Sequence, residues 1–326
     1  KMIKIIAEIG FNHEGDLKLA IEMIKAAAKA GTHAIKFQTY RAADLALPSS
    51  PHYQAIKRGE MNLEQHLELA KIAHSCGIEF LSTPFSPWAI DILEKVGVPA
   101  YKVSSMDCTN KYLLGFIAET KKPIYLSTGM ATLTEISETL SYLFEVKSGP
   151  VTLLHCLSLY PADAKDLNLA IIPYMKELFG VPVGYSDHYP GIKACLAAAM
   201  LGAEVIETHF TLDITKKGAD HYHSVDAGML RQLIADIELF QQMKGTKQGC
   251  HHRPDGKYAT QYRRGVFAAK SLKKGDILRK EDLLLCRPTS QLKPEDVKWL
   301  EGRMIKQDIE EFQAIERDAV ENNANL

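Results

Sequence analysis

Residues 3–38 read IKIIAEIGFNHEGDLKLAIEMIKAAAKAGTHAIKFQ. The stretch opens with a β-branched run, Ile3–Glu8, crosses a polar turn, continues in the amphipathic pattern Leu17–Ala30 and returns to a second apolar run, His33–Gln38. Apolar residues at three- and four-residue spacing predict a helix, and the short β-branched runs on either side predict strands. Strand, helix and strand in this order make a βαβ unit with parallel strands. The turn after the first strand, Glu8-Ile9-Gly10-Phe11-Asn12-His13-Glu14-Gly15, is not a G-x-G-x-x-G. The open doubly wound sheet, which is the alternative, normally carries that fingerprint there.

The theme repeats to residue 245. Further strand-like runs are Ile78–Thr83, Ala100–Ser105, Pro123–Ser127, Val151–Cys156, Val181–Ser186 and Ala203–His209. Between them lie helical patterns such as Leu63–Ser75, Pro87–Val96, Leu133–Leu143, Ile192–Leu201 and Met229–Met243. Eight such units in this length predict a (β/α)₈ TIM barrel over residues 1–245. Residues 246–262, TKQGCHHRPDGKYATQY, are polar, hold Gly and Pro and lack periodicity, which predicts a linker. From Arg263 to residue 326 the pattern changes to short strands and charged turns. Ser271–Asp282 and Asp308–Ala319 echo each other, as expected of a small, mostly β domain built from two similar halves.

Composition narrows the function. The 326 residues carry a formal net charge of -1, with 46% hydrophobic and 24% charged residues. That balance fits a globular protein with a substantial core and offers no global attraction to nucleic acid or to an anionic membrane. No apolar run is long enough to span a bilayer, and the first residues lack the features of a signal peptide. The six cysteines are scattered without a C-x-x-C, so a reducing, cytoplasmic setting is expected rather than a disulfide framework.

Barrel active sites form at the C-terminal ends of the strands, and residues i and i+2 of a strand share a face. The predicted strand ends supply the pairs Lys36/Gln38, Lys102/Ser104, Ser186/His188 and Glu207/His209. Single candidates are Glu8, Ser82 or Thr83, Ser105, Asp107, Ser127, Ser158 and Tyr160. One lysine at a strand end is as well explained by snorkelling. Two on separate strands, with hydroxyls at Thr83, Ser105 and Ser127, favour a pocket for phosphate or carboxylate. His188 and His209 end neighbouring strands and are placed to meet at one divalent ion, with Mn²⁺ the first expectation and Mg²⁺ the second. Spacing alone equally allows two structural histidines. Glu207 and Asp187 are candidates for a further ligand or for a partner that orients an imidazole. Asp220-His221 falls in a polar loop where plain exposure is the default, and His251 and His252 sit in the linker without an assigned role.

Taken together, Ala7-Glu8-Ile9-Gly10-x-Asn12-His13-x-Gly15, Ile35-Lys36-Phe37-Gln38-Thr39, Ser82-Thr83-Pro84-Phe85, Tyr101-Lys102-Val103, Leu126-Ser127-Thr128-Gly129-Met130, Gly184-Tyr185-Ser186-Asp187-His188, Glu207-Thr208-His209-Phe210 and Gly218-Ala219-Asp220-His221 resemble the sialic acid synthases. The stretch from Arg263-Arg264-Gly265 to Arg287-Pro288 is similar to the antifreeze-like SAF domain of the same enzymes. The resemblance implies a TIM barrel and a SAF domain in a domain-swapped homodimer that condenses phosphoenolpyruvate with an N-acylated amino sugar. It implies a metal at His188 and His209. Lys36, Thr83, Lys102, Ser105, Ser127 and Ser186 are implied at phosphoenolpyruvate. Gln38, Ser158, Tyr160, Asp107 and Asp220 are implied on the sugar side, Glu8, Asp107 and Asp220 as catalytic carboxylates, with Glu8 or Asp107 placed to orient or deprotonate water, and Arg263 or Arg264 as the arginine that reaches the sugar's acyl group from the partner. Asp107, Ser158 and Gly265 depart from the commonest family pattern, which has Glu, Asn and Ser there. Two readings compete with synthesis: a Schiff-base aldolase using Lys36 or Lys102, and a non-catalytic saccharide binder.

Overall fold

The computed structural model describes residues 2–245 and 256–321, which fall into two compact units divided after Gly245. In the first unit eight parallel strands close on themselves: β1 (Lys4–Glu8), β2 (Ala34–Thr39), β3 (Glu79–Pro84), β4 (Tyr101–Val103), β5 (Ile124–Ser127), β6 (Val151–Cys156), β7 (Val183–Asp187) and β8 (Val205–His209). Strand β1 pairs with β2 on one side and β8 on the other, which leaves no open edge. The barrel expected from the sequence is therefore the fold of this unit.

Each strand is followed by a helix of the outer ring, including Lys111–Glu119 and Ile171–Phe179, whose patterns are less regular in the sequence. Local chemistry sets the helix ends. Asp16 caps Leu17–Ala30 by accepting from the Lys18 and Leu19 amides, and Gly31 closes that helix at φ +100°. Asn62 with Gln65, and Thr132 with Glu135, form reciprocal capping boxes at the helices after β2 and β5. Alternation along the strands then divides the side chains. Ile5, Ala7, Ile35, Phe37, Phe80, Leu126 and Leu153 pack in the large core they share with the helices. Ile6, Ala34, Leu81, Ala100, Leu154 and Val205 form a second apolar cluster on the opposite strand faces. Glu8, Thr83 and Cys156 follow Ile6, Leu81 and Leu154 by two residues, so the polar layer stands directly above this apolar floor.

Four strands end at a residue other than expected, with β2 and β3 each running one residue further, to Thr39 and Pro84. Strand β4 stops at Val103, and the chain turns into a short 3₁₀ segment, Ser105–Asp107. Strand β7 runs one residue further than expected, to Asp187, and His188 lies just past it.

Of the expected linker, residues 246–255 lie outside the described residues, and Lys257–Tyr262 is a short helix. In the second unit β9 (Gly265–Ala268) pairs antiparallel with β10 (Leu283–Cys286). The two echoing segments meet in an antiparallel bridge between Leu272 and Ile309, and each ends in a 3₁₀ turn, Lys280–Asp282 and Arg317–Ala319. Val266, Leu272, Leu278, Leu292, Ile305 and Ile315 make its own small core. A Cβ on Gly265 would lie 2.4 Å from the Ser290 amide nitrogen, so the close approach of these two chains requires glycine there.

Candidate active site

A cavity of about 290 Å³ opens at the C-terminal ends of the strands. It is lined by Glu8, Lys36, Gln38, Thr83, Lys102, Ser105, Ser127, Tyr160, Ser186, His188, His209 and Asp220, joined by Phe11, Phe85, Ser104, Cys156 and Glu207. Strand register explains why residues so distant in sequence meet. Glu8 is paired with Lys36 across β1 and β2 and with His209 across β1 and β8. Gln38 is level with Thr83, and Ser186 with Glu207.

One side of the cavity is a buried charge tetrad. Lys36 Nζ stands 2.5 Å from Glu8 Oε2 and 3.9 Å from Glu207 Oε1, while Lys102 Nζ is 3.8 Å from the same Glu207 oxygen. Lys36 also donates to Thr83 Oγ1 at 3.0 Å, Gln38 to Glu8 at 3.2 Å and Ser186 to Glu207 Oε1 at 3.0 Å. Burial opposes the charge on Lys36, but the Glu207 and Glu8 carboxylates outweigh it and hold the ammonium above the ordinary lysine range. Burial dominates at Lys102 and pulls it below that range. Burial likewise raises Glu8 to about 7, opposed by Lys36 and reinforced by Glu207. For Glu207 the two lysines win over burial and hold it low. Four groups of opposed charge thus share a site shielded from water, with Glu8 poised to exchange a proton near neutrality. The Ser127 hydroxyl and Glu207 Oε2 are buried here without a hydrogen-bond partner.

The other side is built of imidazoles. His188 and His209 have ring centres 5.3 Å apart, and Tyr160 lies over His188 at 4.0 Å. The Leu157 carbonyl is 2.7 Å from His188 Nδ1, which assigns the proton to that nitrogen and leaves the Nε2 lone pair free. His209 Nδ1 is buried without a hydrogen-bond partner. Burial lowers both histidines, and the neighbouring imidazoles push His209 further down, so both are neutral near pH 7. Neutral imidazoles with free lone pairs, next to Asp220, are a donor set that fits a borderline divalent ion. Gly10, at φ +52°, lets Asp220, Glu8 and His209 approach. A Cβ there would sit 3.1 Å from Asp220 Oδ2, 3.3 Å from Glu8 Oε1 and 3.4 Å from His209 Cε1.

Four expected site residues do not line this cavity. The Asp107 carboxylate is spent inside its own turn, accepting from Ser104 Oγ and Asn110 Nδ2, both at 2.9 Å, because the chain leaves β4 early. Ser158 is not among the lining residues, although its hydroxyl, like that of Ser105, would collide with a Cβ on Gly129. Arg263 and Arg264 belong to the second unit, where they line a cavity of about 520 Å³ with Thr260, Thr289, Ser290 and Lys293. Asp187 does not bond the His188 ring, although the His188 amide donates to its carboxylate. It accepts from Tyr185 Oη at 2.8 Å, the Tyr189 amide at 2.9 Å and Cys195 Sγ at 3.0 Å. Glu207 serves the lysines rather than the imidazoles. In the loop after β8 residues 215–219 are exposed as expected, but Asp220 is half-buried and His221 and His223 are buried.

The profile of the NeuB family matches residues 23–249, and that of the SAF domain matches residues 263–320. The chain belongs to the NeuB family. Within it, the N,N'-diacetyllegionaminic acid synthase of Campylobacter jejuni is 38% identical over 306 residues, covering 89% of this chain and 92% of that one. The human N-acetylneuraminate-9-phosphate synthase is 32% identical over 338 residues, 98% of this chain and 93% of its own. Among solved structures, the N-acetylneuraminic acid synthetase of Leptospira borgpetersenii superposes with a TM-score of 0.75 at 35% identity, covering 79% of this chain and 90% of that one. The NeuB-family barrel also shares its fold, at 13% identity and a TM-score of 0.61, with a truncated 3-deoxy-D-arabino-heptulosonate 7-phosphate synthase from Thermotoga maritima.

Proposed function

We propose that this protein condenses phosphoenolpyruvate with the open-chain aldehyde of an N-acylated, mannosamine-type sugar, giving a nonulosonic acid and inorganic phosphate. The observation that carries the reading is the division of one cavity into a lysine and hydroxyl side and an imidazole side, with Glu8 between them. The names of the relatives, synthases of legionaminic acid and of N-acetylneuraminate 9-phosphate, agree with it.

The residues suit the steps. Lys36 and Lys102, with Thr83, Ser105, Ser127 and Ser186, hold the phosphate and carboxylate of the enol substrate and offset the charge that moves during reaction. C3 of phosphoenolpyruvate attacks the aldehyde carbon, and the aldehyde oxygen takes a proton to become a hydroxyl. Water adds at C2, and the resulting hemiketal phosphate expels phosphate to leave the ketone. Glu8, paired with Lys36, orients that water and removes its proton. A divalent ion held at His188 and His209, Mn²⁺ first and Mg²⁺ second, would supply Lewis-acid polarisation of the aldehyde oxygen. Gln38, Tyr160 and Asp220 orient the sugar.

The SAF unit finishes the site in a domain-swapped homodimer, with Arg263 or Arg264 reaching the acyl group of the sugar held by the neighbouring barrel. Arginine's planar donors suit an amide carbonyl. Hybrid dimers of a His188→Ala chain and an arginine variant should then regain activity that neither homodimer has. A cytoplasmic setting is part of the same proposal; the described cysteines are free, and no described helix is long and apolar enough to cross a membrane.

A Schiff-base route through Lys102, whose charge burial disfavours, makes a different prediction. Borohydride would trap pyruvate on the protein in that case. The proposed route leaves the protein mass unchanged under borohydride and yields a product whose mass is the sum of sugar and pyruvate.

A further inference from the structure

His223 is an imidazole without a purpose in the mechanism above. It is 2% exposed, and neither ring nitrogen has a hydrogen-bond partner. Leaving buried polar atoms unpaired is costly, so a structural histidine would normally have found a carbonyl or hydroxyl. His221, two residues earlier, has done so. Its Nδ1 meets Thr211 Oγ1 at 2.7 Å, while its Nε2, 3.5 Å from Glu14, has no hydrogen-bond partner, so His221 is held at one nitrogen and His223 at neither.

The turn that presents His223 is held firmly. Asn12, on the loop after β1, accepts from the Asp220 amide at 2.9 Å and donates to the Phe210 carbonyl at 3.0 Å and to Ser224 Oγ at 2.9 Å. Ser224 in turn donates to the Asp220 carbonyl at 2.6 Å, and the Val225 amide donates to the His209 carbonyl at 2.8 Å. The result puts the His223 ring 4.9 Å from that of His209 and 6.1 Å from that of His188, centre to centre. Asp220 lies between them, with Oδ2 3.5 Å from His209 Nδ1 and Oδ1 3.9 Å from His223 Nε2. One donor atom each from His209, Asp220 and His223 falls within 4.8 Å of the others. Ligands about 2.0–2.2 Å from a shared ion lie roughly 3–3.5 Å apart, so small side-chain movements close the cluster onto one cation.

We propose that His223 is a third imidazole ligand of the metal expected at His188 and His209, and that with Asp220 it makes this a nitrogen-rich site for Mn²⁺, Co²⁺ or Zn²⁺ that discriminates against Mg²⁺. The inference rests on the metal reading above and deepens it. Each imidazole added in place of water or carboxylate favours borderline ions over hard ones. His223 stands three residues from Asp220 in the same turn, so an ion held by both would bear directly on this sugar-side carboxylate.

The test is Co²⁺ titration of the full-length, chelator-stripped protein, followed by calorimetry and by the visible ligand-field bands, with Mg²⁺ as a competitor. The expected result is one Co²⁺ per chain, little displacement by excess Mg²⁺, and a tenfold or greater loss of Co²⁺ affinity with altered bands in His223→Phe. His223→Gln, which keeps a polar side chain in the same space, guards against misfolding and should show the same loss at an unchanged apo-protein Tm. Wild-type Co²⁺ affinity and bands in both His223 variants, while His209→Ala abolishes binding, would overturn the role of His223 alone. Undiminished binding in His209→Ala as well would overturn the metal reading of the whole site.

Discussion

The lysine side and the imidazole side of the cavity lie on the same barrel, yet they solve opposite problems. Lys36, Lys102, Glu8 and Glu207 are already paired with one another, so the lysine side is largely paired without ligand, with Ser127 Oγ and Glu207 Oε2 left without a hydrogen bond. The imidazole side is not, because His209 and His223 bury nitrogens that nothing in the described residues satisfies. A pre-paired charge network can hold its geometry before substrate arrives and re-pair with an anion on binding. An unpaired imidazole cluster is completed only by what binds. The contrast predicts that substrate anion binding survives loss of the metal, whereas sugar turnover does not.

The sharpest way to break the comparison is to remove an imidazole. His209→Ala should lower kcat/KM by at least about 10³, or ~4 kcal/mol, if the ion acts as Lewis acid and template. Phosphoenolpyruvate binding measured by calorimetry should change little. Loss of phosphoenolpyruvate binding in this variant would mean that the two sides are one unit.

Next comes the lysine side. Lys102→Met keeps the apolar stem, removes the charge and leaves Glu207 with Lys36 alone. The expected loss in kcat/KM for phosphoenolpyruvate is about 2–4 kcal/mol, with Co²⁺ affinity unaltered. Steady-state kinetics at saturating sugar, together with Co²⁺ titration, separate the two effects.

Glu8 joins the sides, and its raised pKa gives a pH signature. Below about 7 the carboxyl is protonated, and above it the carboxylate is available as a base. Wild-type kcat/KM should therefore rise through about pH 7, and Glu8→Gln should lower kcat/KM and flatten that limb. A Glu8→Gln profile with the same limb would assign the ionisation to another group.

Gly10→Ala is the mildest probe. The left-handed φ costs an L-residue about 1–2 kcal/mol, and the added methyl presses on Asp220, Glu8 and His209 together. A fall in Tm of several degrees is expected, with kcat reduced more than the binding of either ligand measured singly.

How much of this is visible in the primary structure follows from where each residue sits. Lys36, Gln38, Lys102, Ser127, Ser186 and His209 are legible because strand alternation fixes the face they occupy once a strand is recognised. The barrel itself is legible because short β-branched runs and amphipathic helical patterns alternate through eight units. Asp107 is misleading because its side chain depends on where β4 ends, and Asn110 captures the carboxylate once the chain turns. Glu207 shares a face with His209, so periodicity cannot say that it turns to the lysines. His223 is hidden for a third reason. Its position depends on a loop held by Asn12, far upstream in the chain, and no local pattern reports that contact. In the second unit the repeat of Ser271–Asp282 in Asp308–Ala319 is legible because each half repeats the same apolar and turn residues, and the Leu272–Ile309 bridge joins them.

The most direct test of the central claim is phosphate release from phosphoenolpyruvate by the full-length protein, assayed against a small panel of N-acylated hexosamines with and without divalent metal. The account predicts phosphate only when phosphoenolpyruvate, one of these sugars and a metal are all present, one phosphate for each nonulosonic acid formed. Phosphate release without sugar, or an undiminished rate after exhaustive chelation, would contradict it.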